Sequence, residues 1–124
     1  IHERYPRSGP ALYRERERRL RGQLAALAPD DPAAFPLLDD LAVALERLGR
    51  TGEAIALMED KYRRQVARNR PERERYSTHA NLGTLLVHAN AARAIGDPAA
   101  RDRLSQGVWQ IRDSVRVNPG AHFG

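Results

Sequence analysis

The chain has 124 residues, 41% of them hydrophobic and 30% charged, which allows one domain with a core of its own and argues against wholesale disorder. It contains no cysteine, which excludes disulfides, thiol catalysis and thiolate metal sites and fits a reducing or an oxidising compartment equally. A net charge of +5 points toward nucleic acid, anionic lipid or acidic proteins, yet all 21 basic residues except Lys61 are Arg, a choice that reads as GC-rich coding bias.

Ala, Leu, Arg and Glu dominate while aromatic and β-branched residues are few, so intrinsic preference favours an all-α fold. No run of about 18 apolar residues is present, so no segment is expected to span a membrane. The start at Ile1, with no apolar leader core, reads as an excised piece whose own N-terminus, with any signal peptide, is missing.

The opening "RYPRSGP" places Pro10 in the first turn of a helix, where its missing N–H costs nothing. Tyr13, Leu20, Leu24 and Leu27 recur at helical spacing, and Pro29 predicts a stop near Ala28. Asp31 followed by Pro32 supplies a new N-cap and first turn. Leu38, Leu41, Ala42, Leu45 and Leu48 then form the stripe of a half-buried helix that Gly49 ends in a left-handed conformation. Thr51 is the expected cap of the third helix, with Glu53 in its first turn and Ala54, Ile55, Met58, Tyr62 and Val66 as its buried stripe.

After a charged corner at Pro71, a fourth helix is expected through "YSTHANLGTLLVHANAARAI", burying Leu82, Leu85, Leu86 and Ala89 and ending at Gly96. Asp97 and Pro98 begin a fifth, with Leu104, Val108, Ile111 and Val115 at helical spacing as far as Pro119, and Trp109 read as packing. The runs "RERERRLR" and "RNRPERER" alternate in sign and read as solvated helix faces with neighbouring Glu–Arg partners. Short links make the helices antiparallel hairpins.

These hairpins resemble tetratricopeptide repeats, helix–turn–helix units of about 34 residues. Leu41 and Ala42 match the Leu-small pair of the repeat's first helix, Gly49 its turn glycine, and Glu53, Ala54 and Ile55 the start of its second helix. Leu82 and Gly83 match the Leu-Gly pair of a second unit, and "RVNPGA" matches the ending that precedes another repeat. Lys61 and Gly107 depart from the pattern, standing where the repeat has a small residue and Ala. The span from Leu82 to Pro119 also exceeds the spacing of about 25 that the repeat calls for, which places an insertion in "NAARAIGDPAAR" with a lengthened helix and a displaced loop. The resemblance implies a short right-handed α-solenoid of stacked antiparallel hairpins. It divides the chain into an N-terminal turn and capping helix over 1–30, a first hairpin over 31–70, a second over 71–120 with the insertion near 90–102, and the start of a further helix at 121–124. The wording is also similar to bacterial proteins of this family that have no assigned role, some of them exported behind a signal peptide. The compartment stays open between an exported and a cytoplasmic one.

Residue patterns offer little footing for catalysis. His2, His79, His88 and His122 form no metal pattern, because His79 and His88 lack the i, i+4 spacing by which one helix presents two ligands. Ser8, Ser77, Ser105 and Ser114 have no nucleophile-elbow setting. Asp39 and Asp40, adjacent on a helix, point about 100° apart and do not converge on one atom. Neither enzyme activity nor a cofactor is expected. A nucleic-acid surface would need Tyr5, Tyr13, Tyr62 or Tyr76 interleaved with basic residues on one face. That alternative rests on Tyr76 beside Arg70, Arg73 and Arg75, and the alternating charges make it the runner-up.

By the resemblance, partners bind the concave surface lined by first helices. Helical phase assigns to it Asp39, Val43, Glu46 and Arg47, then Ser77, Ala80, Thr84 and His88. Some family members clamp a partner's terminal carboxylates there. Asn81 resembles one clamp residue, but Asp39 and Asp40 stand where basic or amide groups would be needed and would repel that ligand. The expectation is a non-enzymatic scaffold for a basic or mixed-charge peptide, with self-association through exposed repeat ends as a further possibility.

Overall fold

The computed structural model of the chain describes residues 9–117. Among them are five helices and no strand, so the fold is all-α: α1 Pro10–Ala25, α2 Ala34–Arg47, α3 Thr51–Ala67, α4 Glu72–Asn90 and α5 Pro98–Val117. The helix expected at 121–124, together with His2, Tyr5, Ser8, Pro119 and His122, lies outside the described residues.

Local backbone chemistry sets the helix ends. Pro10 occupies the first turn of α1 behind Gly9, whose φ of 84° is open to glycine at little cost. α1 ends at Ala25, short of the expected Ala28, because Ala26 and Leu27 donate to the Gln23 and Leu24 carbonyls and tighten the last turn. Asp31 does cap the next turn, its Oδ1 accepting from the Ala33 N–H at 2.9 Å and its carbonyl from Ala34 at 3.0 Å. That turn is too tight to be α-helical, so α2 starts at Ala34 rather than at Pro32.

α2 ends in a Schellman motif: Arg50 donates to the Leu45 carbonyl at 2.8 Å and Gly49 to Glu46 at 2.9 Å, with Gly49 at φ 78°. Thr51 is the first helical residue of α3 and not its cap, and the Arg50 carbonyl accepts from Ala54. The same stop recurs at the end of α3, where Arg70 donates to Gln65 at 2.9 Å and Asn69 to Val66 at 3.1 Å, with Asn69 at φ 51°. In both motifs the Arg that follows the left-handed residue then grips a Glu at the start of the next helix. Arg50 holds Glu53 at 2.5 and 2.8 Å, and Arg70 holds Glu74 at 2.7 and 3.1 Å.

The chain divides into two compact units, Ile1–Leu57 and Met58–Gly124. In the first, α1 packs on α2. α2 buries Leu38, Leu41, Ala42 and Leu45 as its stripe requires, and adds Ala34, Phe35 and Ala44. α1 contributes only Leu20 to the buried set. Burial along α3 follows Ala54, Met58, Lys61 and Gln65, so its inward face is turned from the expected one and Val66 is 45% exposed. Lys61 keeps only 4% of its surface exposed: its aliphatic stem is covered while its ammonium acts on Glu74.

In the second unit α4 packs on α5. α4 ends at Asn90, whose Nδ2 donates to the Leu86 carbonyl at 2.8 Å, so the lengthened helix expected as far as Gly96 is replaced by turns over 91–96. Asp97 caps α5 as expected, its Oδ1 accepting from Ala99 at 3.0 Å. The inward stripe of α5 is Ala100, Gly107 and Ser114 with Leu104 and Ile111 half-buried, whereas Val108, Val115 and Trp109 are exposed, Trp109 at 66%. The reason is backbone proximity. A Cβ on Gly83 would lie 2.7 Å from the Gly107 carbonyl oxygen, and one on Gly107 would lie 2.6 Å from that of Gly83. Small residues bring the two helices into contact there, and the bulky apolar ones are displaced outward.

Candidate functional site

Unit 1 concentrates charge on α1. Glu15 pairs with Arg18, and Glu17 accepts from Arg21 Nε at 2.9 Å and from Arg50 Nη1 at 2.7 Å. Arg50 also holds Glu53, and Arg21 Nη2 lies 4.0 Å from Glu53, so four charges close a ring joining α1 to the α2–α3 corner and the start of α3. Hydrogen bonds from Arg21 and then Arg50 hold the Glu17 carboxyl below the usual carboxylate range, and Arg50 does the same for Glu53.

Beside this ring, α1 and α2 leave a cleft of about 340 Å³ lined by Arg16, Arg19, Leu20, Asp40, Val43 and Ala44. Leu20 and Ala44 are buried and form an apolar floor, while Arg16, Arg19 and Asp40 are exposed. The Arg16 guanidinium lies 5.4 Å from the centre of the Tyr13 ring, within cation–π range. Among the described residues, Arg16, Arg19 and Asp40 form no ion pair.

Of the residues assigned to a groove, only Val43 lines this cleft. Asp39 and Glu46 are half-buried and Arg47 is exposed. The α4 set lies in the other unit: Ser77 is half-buried, Ala80 is only 3% exposed, Thr84 donates to the Ala80 carbonyl at 3.1 Å, and His88 is exposed. Sequence reasoning missed Arg16, Arg19 and Asp40 as a set, although Asp40 stood out as half of a carboxylate pair. Only the pairing of α2 with α1 places Asp40 at the cleft and leaves Asp39 out of its lining.

Unit 2 contains an aromatic and imidazole cluster. The His79 ring sits 5.5 Å from Tyr62 in a tilted arrangement and 5.5 Å from Tyr76 edge-on. Burial pushes the His79 imidazole down from its ordinary value, opposed in part by the Asp113 carboxylate. Two of the arginines named for nucleic-acid binding are engaged within the protein: Arg70 grips Glu74, and Arg75 Nε donates to the Arg70 carbonyl at 3.0 Å.

Among the described residues, no three His, Asp or Glu side chains gather as a metal ion would need, and no helix is long and apolar enough to cross a membrane. No family model, curated protein or solved structure matches the chain.

Proposed function

We propose that the chain is a non-enzymatic interaction module of the tetratricopeptide-repeat kind, which binds a segment of a partner protein. The α1–α2 cleft carries this reading. It has an apolar floor, an edge of both charge signs, and room for one or two side chains of a bound peptide. The Schellman stops and the Gly83–Gly107 approach support the repeat-like character of the hairpins, because both are devices that let short-linked helices pack closely.

The nucleic-acid reading ranks lower. Arg70 and Arg75 already serve internal acceptors, and Tyr76 packs against His79 rather than standing as a platform for a base.

The test is selection of a randomised linear peptide library on the purified chain, with a Val43→Arg variant as the blocked control. Peptides that bind the parent chain and lose about tenfold or more on the variant support an interaction module seated on this cleft. Failure to enrich any sequence over the blocked control would overturn it.

A further inference from the structure

The geometry points to one ligand chemistry for the α1–α2 cleft: a peptide carrying an acidic side chain beside an aliphatic one, with a basic residue close by. The inference rests on the reading of the chain as a peptide-binding module and names what that peptide must contain. Arg16 and Arg19 stand one helical turn apart on α1 and both line the cleft. The acidic residues of α1 could have neutralised them, but Glu15 is held by Arg18, and Glu17 is held by Arg21 and Arg50. Two exposed guanidiniums therefore line the cleft with no salt bridge of their own among the described residues, Arg19 acting on the Glu15 carboxylate only at longer range and Arg16 lying over the Tyr13 ring. Paired guanidiniums recognise a carboxylate through several N–H donors at once.

The floor decides what accompanies that carboxylate. Half-buried Val43 offers an apolar surface that gives nothing to a polar group and gains when an aliphatic side chain covers it, with Leu20 and Ala44 already covered beneath. A volume of about 340 Å³ suits an acidic and an aliphatic side chain together, and is too small for a packed helix. Asp40 supplies the third element. Exposed on the opposite wall, it repels a second carboxylate or a run of phosphates and favours a Lys or Arg near the first two side chains. A phosphodiester strand would meet the same two arginines, but it would bring repeated negative charge past Asp40 and no aliphatic side chain for the floor. For that reason the peptide is the occupant favoured.

The experiment reads the composition of the library selection and then titrates synthetic peptides by fluorescence anisotropy. The enriched sequences are expected to share an acidic residue next to Leu, Ile or Val, with a basic residue nearby. Replacing the acidic residue by its amide should weaken binding about tenfold, and the double variant Arg16→Gln, Arg19→Gln should do the same. Asp40→Asn should abolish the preference for the nearby basic residue while keeping that for the acidic one. All three positions are exposed, so circular-dichroism melts of the variants should match the parent and exclude misfolding as the cause.

Enrichment of basic or uncharged peptides that Val43→Arg still blocks would overturn this ligand class and leave the interaction module standing. Binding insensitive to the arginine substitutions would do the same. Displacement of the acidic peptide by single-stranded oligonucleotide at equal concentration would overturn the assignment in favour of phosphate. Absence of any enriched peptide would remove both this inference and the reading on which it rests.

Discussion

The α1–α2 pair and the α4–α5 pair solve the same packing problem in opposite ways. α4 and α5 meet through Gly83 and Gly107, where no side chain intervenes and each backbone oxygen occupies the space a Cβ would need. α1 meets α2 with a single buried leucine, and a cleft of about 340 Å³ edged by Arg16 and Arg19 remains between them. Small residues give close backbone approach and leave no room for a ligand. Large amphipathic ones cover the neighbouring helix less completely and leave an opening edged by their own charged ends.

The strongest way to break this contrast is to add bulk where the backbones touch. Gly107→Val would place its Cβ 2.6 Å from the Gly83 carbonyl oxygen, with Leu86 Cβ and Val87 Cγ2 at 3.0 and 3.1 Å. A backbone oxygen cannot swing aside as a side-chain end can, so the helices must separate. The expected loss is about 3 kcal/mol, because overpacking outweighs the gain in helix preference over glycine. Urea titration followed by circular dichroism would check it, and a variant as stable as the parent would show that the two helices are free to slide apart.

The next effect concerns the turns. A Cβ on Gly49 would meet no atom within 4 Å, so Gly49→Ala isolates the cost of holding φ at 78° with an L-residue. A loss of about 1 kcal/mol is expected from that strain alone. Asn69→Ala at φ 51° should cost less, because asparagine already bears part of the same strain and gains nothing from glycine's freedom. Equal losses at the two positions, read from thermal midpoints, would contradict a purely local origin.

These two stops also show how unevenly the sequence reveals the fold. Pro10, Gly49 and the Asp97–Pro98 pair announce helix ends because their effect is confined to a few backbone atoms. Asn69 does the same work as Gly49, and its position just before Arg70 and Pro71 could have signalled it, but the surrounding charges read as a plain corner. The inward faces of α3 and α5 were harder to read, because hydropathy ranks Val66, Val108 and Val115 above Lys61, Gln65, Gly107 and Ser114, whereas the structure buries the second group. Close backbone approach and a covered lysine stem are properties of helix pairs and leave no mark in the periodicity of one helix. The cleft is similar. Val43 was readable from the phase of α2, but Arg16 and Arg19 join it only through the packing of α1.

Acidification should separate the two units. Burial lowers the folded-state value of His79 below the ordinary 6.5, against the opposing pull of Asp113, so the folded form binds fewer protons than the unfolded one at mildly acid pH. Its contribution is fully present above about 6.5 and is lost as pH falls through the lowered value. Tyr62 from α3, Tyr76 from α4 and Asp113 from α5 surround it, and Arg116 pairs with Asp113, so the local response stays within unit 2. In unit 1, Glu17 and Glu53 contribute above the ordinary carboxylate value of 4.5 and lose their contribution only as pH falls through their lowered values. Hydrogen exchange at pH 7 and at mildly acid pH above the carboxylate range, corrected for intrinsic rates, should show α4 and α5 amides losing protection first. His79→Gln should remove that difference, and its persistence in the variant would assign the response to another group.

The smallest expected effect is the most pointed, because it adds bulk to the pair that has room for it. Val43→Leu lengthens a side chain that faces the cleft, where the added methylene meets open space over Leu20 and Ala44 instead of a carbonyl oxygen. Leucine also gains a little in helix preference over the β-branched valine. Stability should therefore move by no more than about 0.5 kcal/mol in either direction, against the large loss at Gly107. A drop of 1 kcal/mol or more in the same urea titration would mean that α1 and α2 close on each other in solution. The cleft would then be a gap too narrow for any ligand, and the contrast between the two helix pairs would be one of sequence alone.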